Sequence, residues 1–403
     1  MNWKTSTFGE VVNLEQGLAF NKKNNYLIVN DGIPLLRITD LVNNTETKFV
    51  DRNKVPVKFL SKPTDIIFTR TGQVGLVFKG RVGIVHNNCF RIIPKEDIDP
   101  NYIYWYLKQP SVIEHAKNLA GGAAQPDLGH NAFKSIPFQY PPLPTQQKIV
   151  AILSAYDDLI ENNTRRIKIL EEMAQAIYRE WFVYFRFPGH EDMRMVESEL
   201  GLIPEGWEMR KLGNIAEEIR NSVDPINIDP DTPYFGLEHF PRKSIALYDW
   251  GFAKDVQSTK HQFITGDILF GKIRPYFHKV GVAPIKGVCS SDAIVIRPKN
   301  QEYFGLVLTC VSSNDFVNHA SQTSQGTKMP RANWNVLVKY PIILPQKAIL
   351  DNFNNLISEI VGLIRIRIFQ NQNLQKTRDR LLTKLISGEL DVYDLDIRLP
   401  EAE

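Results

Sequence analysis

The sequence predicts an α+β protein in which two duplicated mixed α/β domains are separated by a long antiparallel two-helix coiled coil, with pseudo-two-fold symmetry. The chain matches itself at an offset of about 200 residues, a period that indicates two copies of one domain and not a solenoid. Each copy closes on a proline-rich segment, after which the apolar residues change from the spacing of strands to that of a long helix. The 43% hydrophobic and 23% charged residues are typical of a globular protein.

The repeat is clearest in short segments that occur once in each half. The matching pairs are Trp3–Gly9 with Trp207–Gly213, Thr64–Phe68 with Gly266–Phe270, Cys89–Pro94 with Ala293–Pro298, and the closing segments Pro137–Pro144 with Pro341–Pro345. Apolar, β-branched runs that lead into turns indicate strands. We therefore predict globular domains at 1–144 and 203–345, with a linker at 187–202.

A heptad pattern follows each domain and predicts long helices at 145–186 and 346–390, before an acidic tail at 391–403. The members of the first pattern are Ile149, Leu153, Tyr156, Ile160, Asn163, Ile167, Leu170, Ala174, Ile177 and Trp181. The second pattern falters at Arg365 and Arg367, and Gly388 is a suitable C-cap for its helix. Its members are Ile349, Phe353, Leu356, Ile360, Leu363, Leu374, Leu381 and Leu385.

Two helices of equal length, each following a copy of the same domain, are best buried against each other. An antiparallel pair would relate the two domains by an approximate two-fold axis. Asn163 is the polar member of the first pattern, at a place where a buried polar residue can fix the register of two helices. The alternative is that Asn163 faces solvent.

The net charge of +3 is the sum of unequal parts. Residues 1–144 hold 17 Lys and Arg against 12 Asp and Glu, residues 241–345 hold 13 against 6, and residues 187–240 hold 4 against 12. Two separate basic regions suit two contacts with a polyanion such as nucleic acid. The alternative is a solvated surface with uneven charge.

Turns that carry hydrogen-bond donors recur at equivalent places in the two domains, in Thr69–Gly75 and in Gly271–Lys279. Arginine can bind guanine, and glutamine adenine, with two hydrogen bonds in the major groove. The alternative is that these are ordinary surface side chains on hairpins. The residues that we predict to contact DNA are Arg37, Thr39, Arg70, Thr71, Gln73, Gln125, Lys272, Arg274, Tyr276, His278, Lys279, Lys328 and Arg331.

The sequence lacks the usual patterns of catalysis and cofactor binding. It has no phosphate-binding P-loop, no Asn/Asp-Pro-Pro-aromatic tetrad of an amino-methyltransferase, and no pair of histidines at helical spacing for zinc. Asp31 or Asp40 with Glu46 and Lys48 imitates part of a metal-dependent nuclease, but this pattern arises by chance in many chains. We therefore predict a binding protein with no catalytic residues and no metal site.

Cysteine usage and hydropathy give no sign of export. Cys89, Cys289 and Cys310 are odd in number and lack C-x-x-C spacing, which argues against a disulfide framework and a thiolate zinc site. The first residues form no apolar signal region, and no run of about 18 apolar residues occurs. We expect a cytoplasmic protein that does not contact the membrane.

Several segments together resemble the specificity subunit of type I restriction-modification systems, over essentially the whole chain. They are Pro142–Ile149, Ala176–Val183, Ile203–Trp207 and Arg378–Leu390. The segment Gln125–Leu128 is similar to a Gln-Pro-Asn-Leu-like segment of that family, with Asp127 where asparagine is commoner. Ser324–Arg331 looks like its counterpart in the second half.

The resemblance implies a non-catalytic subunit with two target recognition domains, each recognising one half of a bipartite sequence in double-stranded DNA. It implies that the helices act as a spacer and dock two modification (methyltransferase) subunits, and that restriction (motor-nuclease) subunits join for cleavage. S-adenosylmethionine, ATP and Mg²⁺ are then expected on the partner subunits and not on this chain. The alternatives are a stand-alone sequence-specific or architectural DNA-binding protein, and an enzyme with an unrecognised site.

Overall fold

The computed structural model describes residues 3–122, 124–199 and 201–399. The chain forms two compact units. Unit 1 consists of Met1–Asp158 with Leu374–Glu403, and unit 2 consists of Leu159–Asn373. Each unit therefore contains one globular domain and a part of each of the two longest helices.

Domain 1 is an α+β domain that ends where the first long helix begins. Its strands are β1 (Lys4–Thr7), β2 (Val12–Gln16), β3 (Ile28–Val29), β4 (Ile33–Leu36), β5 (Phe49–Val50), β6 (Leu60–Ser61), β7 (Ile66–Thr69), β8 (Val77–Phe78), β9 (Gly83–Val85), β10 (Cys89–Pro94) and β11 (Pro137–Tyr140). Its helices are α1 (Phe8–Val11), α2 (Ile38–Asn43), α3 (Pro100–Leu107), α4 (Pro110–Leu119) and α5 (His130–Lys134), and the long helix α6 (Leu143–Phe182) follows.

Domain 2 has a similar order of strands and helices, and it is preceded by a short hairpin formed by its first two strands. The strands are β12 (Met195–Ser198), β13 (Gly201–Pro204), β14 (Glu208–Lys211), β15 (Ala216–Glu218), β16 (Ser222–Val223), β17 (Pro233–Phe235), β18 (Gly251–Phe252), β19 (Lys260–Phe263), β20 (Ile268–Gly271), β21 (Val280–Val282), β22 (Gly287–Cys289), β23 (Ala293–Pro298) and β24 (Pro341–Leu344). The helices are α7 (Leu212–Ile215), α8 (Phe304–Val311), α9 (Asn314–Gln322), α10 (Trp334–Leu337) and the long helix α11 (Lys347–Ile386).

The sheet topology confirms the predicted duplication. The four-stranded sheet β2-β10-β7-β8 of domain 1 has its equivalent in β15-β23-β20-β21 of domain 2, and the pair β1-β11 corresponds to β14-β24. Each domain also has a five-stranded sheet, β3-β5-β4-β9-β6 and β16-β19-β22-β17-β18. Each of these contains one parallel pair, β4 with β9 and β17 with β22.

Buried apolar strands and an ion pair hold the central sheet in each domain. Strand β7 is buried along its whole length, with Ile66 and Phe68 in one hydrophobic cluster and Ile67 in another. The buried Arg91 on β10 pairs with Asp65 at 2.6 Å. In domain 2, Arg297 on β23 pairs with the buried Asp267 at 2.7 Å. The aspartates stand at equivalent places, one residue before β7 and one before β20, but the arginines do not, because Arg91 is the third residue of β10 and Arg297 is the fifth of β23.

The two long helices have 40 residues each, with bounds that differ slightly from the predicted 145–186 and 346–390. Helix α6 begins at Leu143, where the buried side chain of Gln146 bonds to the carbonyls of Pro141 and Asp97. It ends at Phe182, before the turn that the predicted helix included. Helix α11 ends at Ile386, and Gly388 then takes a φ of 77°, which suits a residue that terminates a helix.

The segments that follow the helices pack on their own units. Val392, in the predicted acidic tail, is buried in unit 1, and the Lys148 ammonium donates to the carbonyls of Tyr393 and Leu395. In the predicted linker, Phe187 is buried in unit 2, and β12 pairs with β13 in an antiparallel hairpin. Both segments therefore contribute to a hydrophobic core.

The buried stripe on α11 is one residue out of phase with part of the predicted pattern. Leu356 and Leu363 are 40% and 44% exposed, so their assignment to the seam was wrong. An isoleucine follows each of them, so two neighbouring faces of the helix have apolar residues at helical spacing, and either face could have formed the seam. The buried phase contains Leu350, Phe353, Ile357, Ile360, Ile364 and Ile368. It avoids Arg365 and Arg367, so the predicted interruption at these arginines does not exist.

The remaining predicted seam residues lie on inward faces of the helices. In unit 1, Ile149, Leu153 and Leu385 are buried and Tyr156, Leu374 and Leu381 are half-buried. In unit 2, Asn163, Ile167, Ala174, Trp181, Phe353 and Ile360 are buried and Ile160, Leu170, Ile177 and Ile349 are half-buried.

Contacts within each unit show that the helices run antiparallel. In unit 2, Trp181 near the end of α6 packs on Phe353 near the start of α11, with ring centroids 5.5 Å apart. Further along, the amide nitrogen of Asn163 donates to the amide oxygen of Asn371 at 3.0 Å. In unit 1, Arg378 donates to Asp157 at 2.5 Å. Asn163 is thus buried in the seam, and the alternative that it faces solvent was wrong.

Candidate nucleic-acid interface

Two loops meet at the end of the central sheet in domain 1. We call residues 69–75, which follow β7, the turn loop, and residues 121–122 with 124–128, which precede α5, the glycine loop. The backbone N–H of Gly72 donates to the carbonyl of Pro126 at 2.8 Å, and the N–H of Leu128 donates to the carbonyl of Arg70 at 2.9 Å. These two bonds fix one loop against the other.

Domain 2 has the same loop pair, made by residues 271–279 (turn loop) and 325–332 (glycine loop). The N–H of Arg274 donates to the carbonyl of Pro330 at 2.7 Å, and the N–H of Ala332 donates to the carbonyl of Lys272 at 2.9 Å. Within each glycine loop a glycine takes a positive φ, 97° at Gly122 and 101° at Gly326. L side chains rarely adopt this conformation, which is why both loops have glycine there.

The side chains in the domain 1 loops form a closed hydrogen-bonded cluster. Arg70 is 17% exposed, and its Nη2 lies 2.5 Å from Asp127 Oδ2, while its Nε donates to the carbonyl of Leu128 at 3.1 Å. The Thr71 hydroxyl donates to Asp127 Oδ1 at 2.5 Å. Two of the three guanidinium nitrogens of Arg70 therefore hold the loops together. Its predicted contact with DNA, to a base or to a phosphate, stays a prediction.

The equivalent positions in domain 2 both carry cations, a half-buried lysine and an exposed arginine. Lys272 stands at the place of Arg70, and Arg331 stands at the place of Asp127. The guanidinium of Arg331 is 56% exposed and lies 3.8 Å from the carboxylate of Asp292, too far for a strong ion pair. Lys328 is exposed on the same loop, and Arg274 Nη2 donates to its carbonyl at 3.3 Å. This loop pair therefore presents positive charge to solvent.

Two of the predicted contacts in domain 2 bond to backbone carbonyls of their own domain. His278 is 9% exposed, and its Nε2 donates to the carbonyl of Ser312 at 2.9 Å, so its assignment to a DNA contact was wrong. Burial lowers the pKa of His278, which favours the neutral ring. The ammonium of the half-buried Lys279 donates to the carbonyl of Leu237 at 2.5 Å. Both residues anchor the end of the turn loop.

The other predicted contacts in the two loop pairs lie at the surface. Gln73 and Gln125 are exposed on the turn loop and glycine loop of domain 1, and Tyr276 is exposed on the turn loop of domain 2. Their contact with DNA stays a prediction.

Arg37 and Thr39 lie apart from the loop pair, at the start of α2. Arg37 donates to the buried Asp40 at 2.6 Å, and Thr39 is exposed. The pKa of Asp40 is lowered: burial acts in the opposite direction, but the hydrogen bonds from Arg37 and Thr47 outweigh it. Arg37 also lines a cleft of about 370 Å³ together with Lys22, Lys48, His86 and Phe20. This basic cleft was not predictable from the sequence, because its residues are far apart in the chain and form no motif.

The residues that the structure describes contain no cluster of three or more side chains suited to hold a metal ion. Burial raises the pKa of the Cys89 and Cys289 thiols to about 12, which disfavours the thiolate that a nucleophile needs. Within the same described ranges, no helix is long and apolar enough to cross a membrane.

Two copies of one α+β domain, each with a loop pair of hydrogen-bonding side chains and each attached to long helices, define a bipartite nucleic-acid-binding protein. The model of the type I restriction modification DNA specificity domain matches residues 1–172 and 204–368. The chain belongs to this family, and it serves as a sequence-specificity subunit for DNA.

Known relatives of the family match most of the chain. The type I restriction enzyme MjaIX specificity subunit of Methanocaldococcus jannaschii is 28% identical over 344 residues, which cover 82% of this chain and 78% of the relative. The EcoDI specificity subunit of Escherichia coli is 23% identical over 368 residues, covering 86% and 78%. The crystal structure of the S subunit from M. genitalium superposes with a TM-score of 0.59 at 14% identity, covering 95% of this chain and 96% of that one, and supports the fold.

Proposed function

We propose that each domain recognises one half of a bipartite DNA sequence through its turn loop and glycine loop. The observation that supports this most directly is the repetition of the loop pair, with the same backbone bonds at Gly72 and Leu128 as at Arg274 and Ala332. A pair of loops tied at the backbone is a rigid support for side chains that enter a groove, and rigid contacts cost less entropy on binding. The recognition domains in this proposal are residues 1–144 and 203–345.

The helices in this proposal dock two modification subunits, one for each copy of the domain. Their outward faces carry exposed apolar residues, which mark interaction surfaces when they cluster. These are Leu159, Ile169 and Met173 on α6, and Leu356, Leu363 and Ile366 on α11. Leu159 and Leu363 occupy the same place in their 40-residue helices, as expected when one kind of partner binds twice.

The proposal gives the chain no chemistry of its own. S-adenosylmethionine is placed on the modification subunits, and ATP and Mg²⁺ on the restriction subunits that join them. Because its substrate is chromosomal or invading DNA, we place the complex in the cytoplasm.

Two experiments test the proposal. The purified chain is first assayed with labelled S-adenosylmethionine and then with Mg²⁺ and ATP, and we expect no methyl transfer and no cleavage; robust turnover by the chain alone would contradict a recognition subunit. Residues 1–144 are then replaced by the homologous domain of a relative in cells that carry the modification subunits. Methylation mapping should show a change in one half of the modified sequence, and a change in both halves would refute independent recognition.

A stand-alone DNA-binding protein would give a different result. It would bind its site as tightly alone as with modification subunits, whereas a specificity subunit gains affinity when its partners enclose the duplex. Titration of one labelled duplex with the chain, and then with the chain plus modification subunits, separates the two. Equal affinities would favour the stand-alone protein.

A further inference from the structure

One position in the glycine loop has the same backbone bonds in both domains and opposite charge. The N–H of Asp127 donates to the carbonyl of Gly121 at 2.8 Å, and the N–H of Arg331 donates to the carbonyl of Gln325 at 2.9 Å. Both residues also bridge to the turn loop, Asp127 to Thr71 and Arg331 to Ile273. The two side chains therefore leave equivalent points of equivalent loops.

The side chains next to this position differ between the two domains in whether they bond to the charged group. In domain 1, Arg70 and Thr71 each donate one hydrogen bond to the carboxylate of Asp127. In domain 2, the equivalent neighbours are Lys272 and Ile273, which offer no side-chain acceptor to the guanidinium of Arg331. Asp127 is thus held in one orientation by its own domain, whereas the donors of Arg331 remain available to an external acceptor.

The carboxylate of Asp127 keeps capacity for a further donor. A carboxylate has about four lone-pair sites, and Arg70 and Thr71 occupy two of them. The side chain is 45% exposed, so the remaining sites face solvent. Arg70 also neutralises the charge, which reduces the repulsion that a carboxylate would experience near phosphates. In the major groove the donors are the amino groups of cytosine and adenine, and adenine adds an acceptor, N7, beside its amino group. Cytosine is therefore the better partner.

Arg331 has the complementary chemistry. Its guanidinium is 56% exposed and has five donors in a planar fork. Guanine presents two acceptors, O6 and N7, at the spacing of that fork. Lys272 and Ile273 on the turn loop offer the guanidinium no side-chain acceptor, and the long ion pair with Asp292, at 3.8 Å, is a weak competitor for it.

We propose that this single loop position sets a base preference in each half-site, with Asp127 selecting cytosine through its amino group and Arg331 selecting guanine. The inference rests on the DNA recognition proposed above and goes beyond it, because it names the residue and the base. Arg70 and Thr71 are positioning residues in this scheme, and they act through Asp127.

The test uses the chain assembled with its modification subunits, in the wild-type form and as Asp127→Asn and Arg331→Gln. Methylation mapping gives the recognised sequence, and binding to a panel of duplexes with each position replaced gives the preference. Asparagine and glutamine replace a charge by an amide of similar size, which can accept and donate. Because Arg331 is exposed, Arg331→Gln keeps the test valid if Asp127→Asn destabilises domain 1. Lys328→Gln is the matched control, an exposed cation on the same glycine loop as Arg331.

We expect Asp127→Asn to reduce the preference for cytosine at one position of one half-site by about 5- to 150-fold, and Arg331→Gln to do the same for guanine in the other half-site. Lys328→Gln should weaken binding to all duplexes alike. Variants that keep the wild-type preference at every position, or lose it at every position alike, would overturn the inference while DNA recognition by the wild-type complex still stands. A wild-type complex without any sequence preference would overturn the proposed function and this inference with it.

Discussion

The hydrogen-bonded pair of Asn163 and Asn371 makes a prediction about how the two helices choose their register. Asn163 is buried, and its Nδ2 donates to Asn371 Oδ1 at 3.0 Å. Asn371 Nδ2 in turn lies 3.4 Å from the carbonyl of Ile160 and 3.3 Å from the Thr164 hydroxyl. Replacing Asn163 by leucine removes the donor and leaves the amide oxygen of the half-buried Asn371 without its partner in the seam.

The expected effect follows from the cost of an unpaired polar group. A buried group without its partner costs about 1–3 kcal/mol, and the added apolar burial of leucine offsets about 1 kcal/mol of this. Asn163→Leu should therefore lower the free energy of unfolding of unit 2 by about 1 kcal/mol, and by no more than about 2 kcal/mol. Asn163→Leu with Asn371→Leu removes both amides and should be as stable as the wild type or more so. The double variant should lose the preference for one register, because leucines pack in several registers.

Urea unfolding followed by circular dichroism measures these differences as a double-mutant cycle. The exposed Asn162→Leu, one residue away on α6, is the control and should change the free energy of unfolding by less than about 0.5 kcal/mol. A single variant Asn163→Leu as stable as the wild type would refute the argument, since the amide of Asn371 would then have found another partner at no cost.

Three further predictions follow from the helices and the domain cores. Ile364→Asp should lower the free energy of unfolding of unit 2 by about 3–5 kcal/mol and Leu363→Asp by less than about 1 kcal/mol, because only the first places a charge in the seam; equal losses in urea unfolding would contradict the observed phase. Asp267→Ala should cost about 2–3 kcal/mol because it leaves Arg297 and the N–H of Ile264 without their acceptor; an unchanged thermal melt would show that this ion pair does not stabilise domain 2. Seven residues inserted after Asn163 and after Gln370 keep the seam in phase and lengthen each helix by about 10 Å. Methylation mapping should then show the same half-sequences separated by about three more base pairs, and a stable, partner-bound variant with the original spacing would show that the helices do not set it.

The duplication was predictable from the sequence because it depends on regular features. Matched apolar runs such as Ile66–Phe68 and Ile268–Phe270 become buried strands in both domains. The phase of the second helix was not predictable, because Leu356 and Ile357 are both apolar and either can face the partner. Tertiary contacts decide between them, and periodicity within one helix contains no information about those contacts.

The candidate site, too, was predictable from the sequence only where it depends on local patterns. The turn loops were found because donors recur after equivalent strands. The role of Arg70 depends on Asp127, which lies far from it in the chain, and the role of His278 depends on the carbonyl of Ser312. Pairings between distant segments leave no local pattern in the sequence. The basic cleft at Arg37 and Lys48 was missed for the same reason.

In the proposed function one fold serves two different half-sites, and the loop pair gives a physical basis for this. The bonds that join the two loops run between backbone groups, at Leu128 with Arg70 and at Ala332 with Lys272, and they do not depend on which side chains those residues carry. The side chains can therefore differ between the two domains while the loops keep their geometry. The neighbours in the turn loop change together with the charged side chain. Thr71 donates a hydrogen bond to Asp127, whereas Ile273, at the equivalent place beside Arg331, has no hydrogen-bonding side chain. Recognition can thus diverge at the exposed positions of the glycine loop while the backbone bonds keep the two loops in place, although in domain 1 the side chains of Arg70 and Asp127 add to the frame.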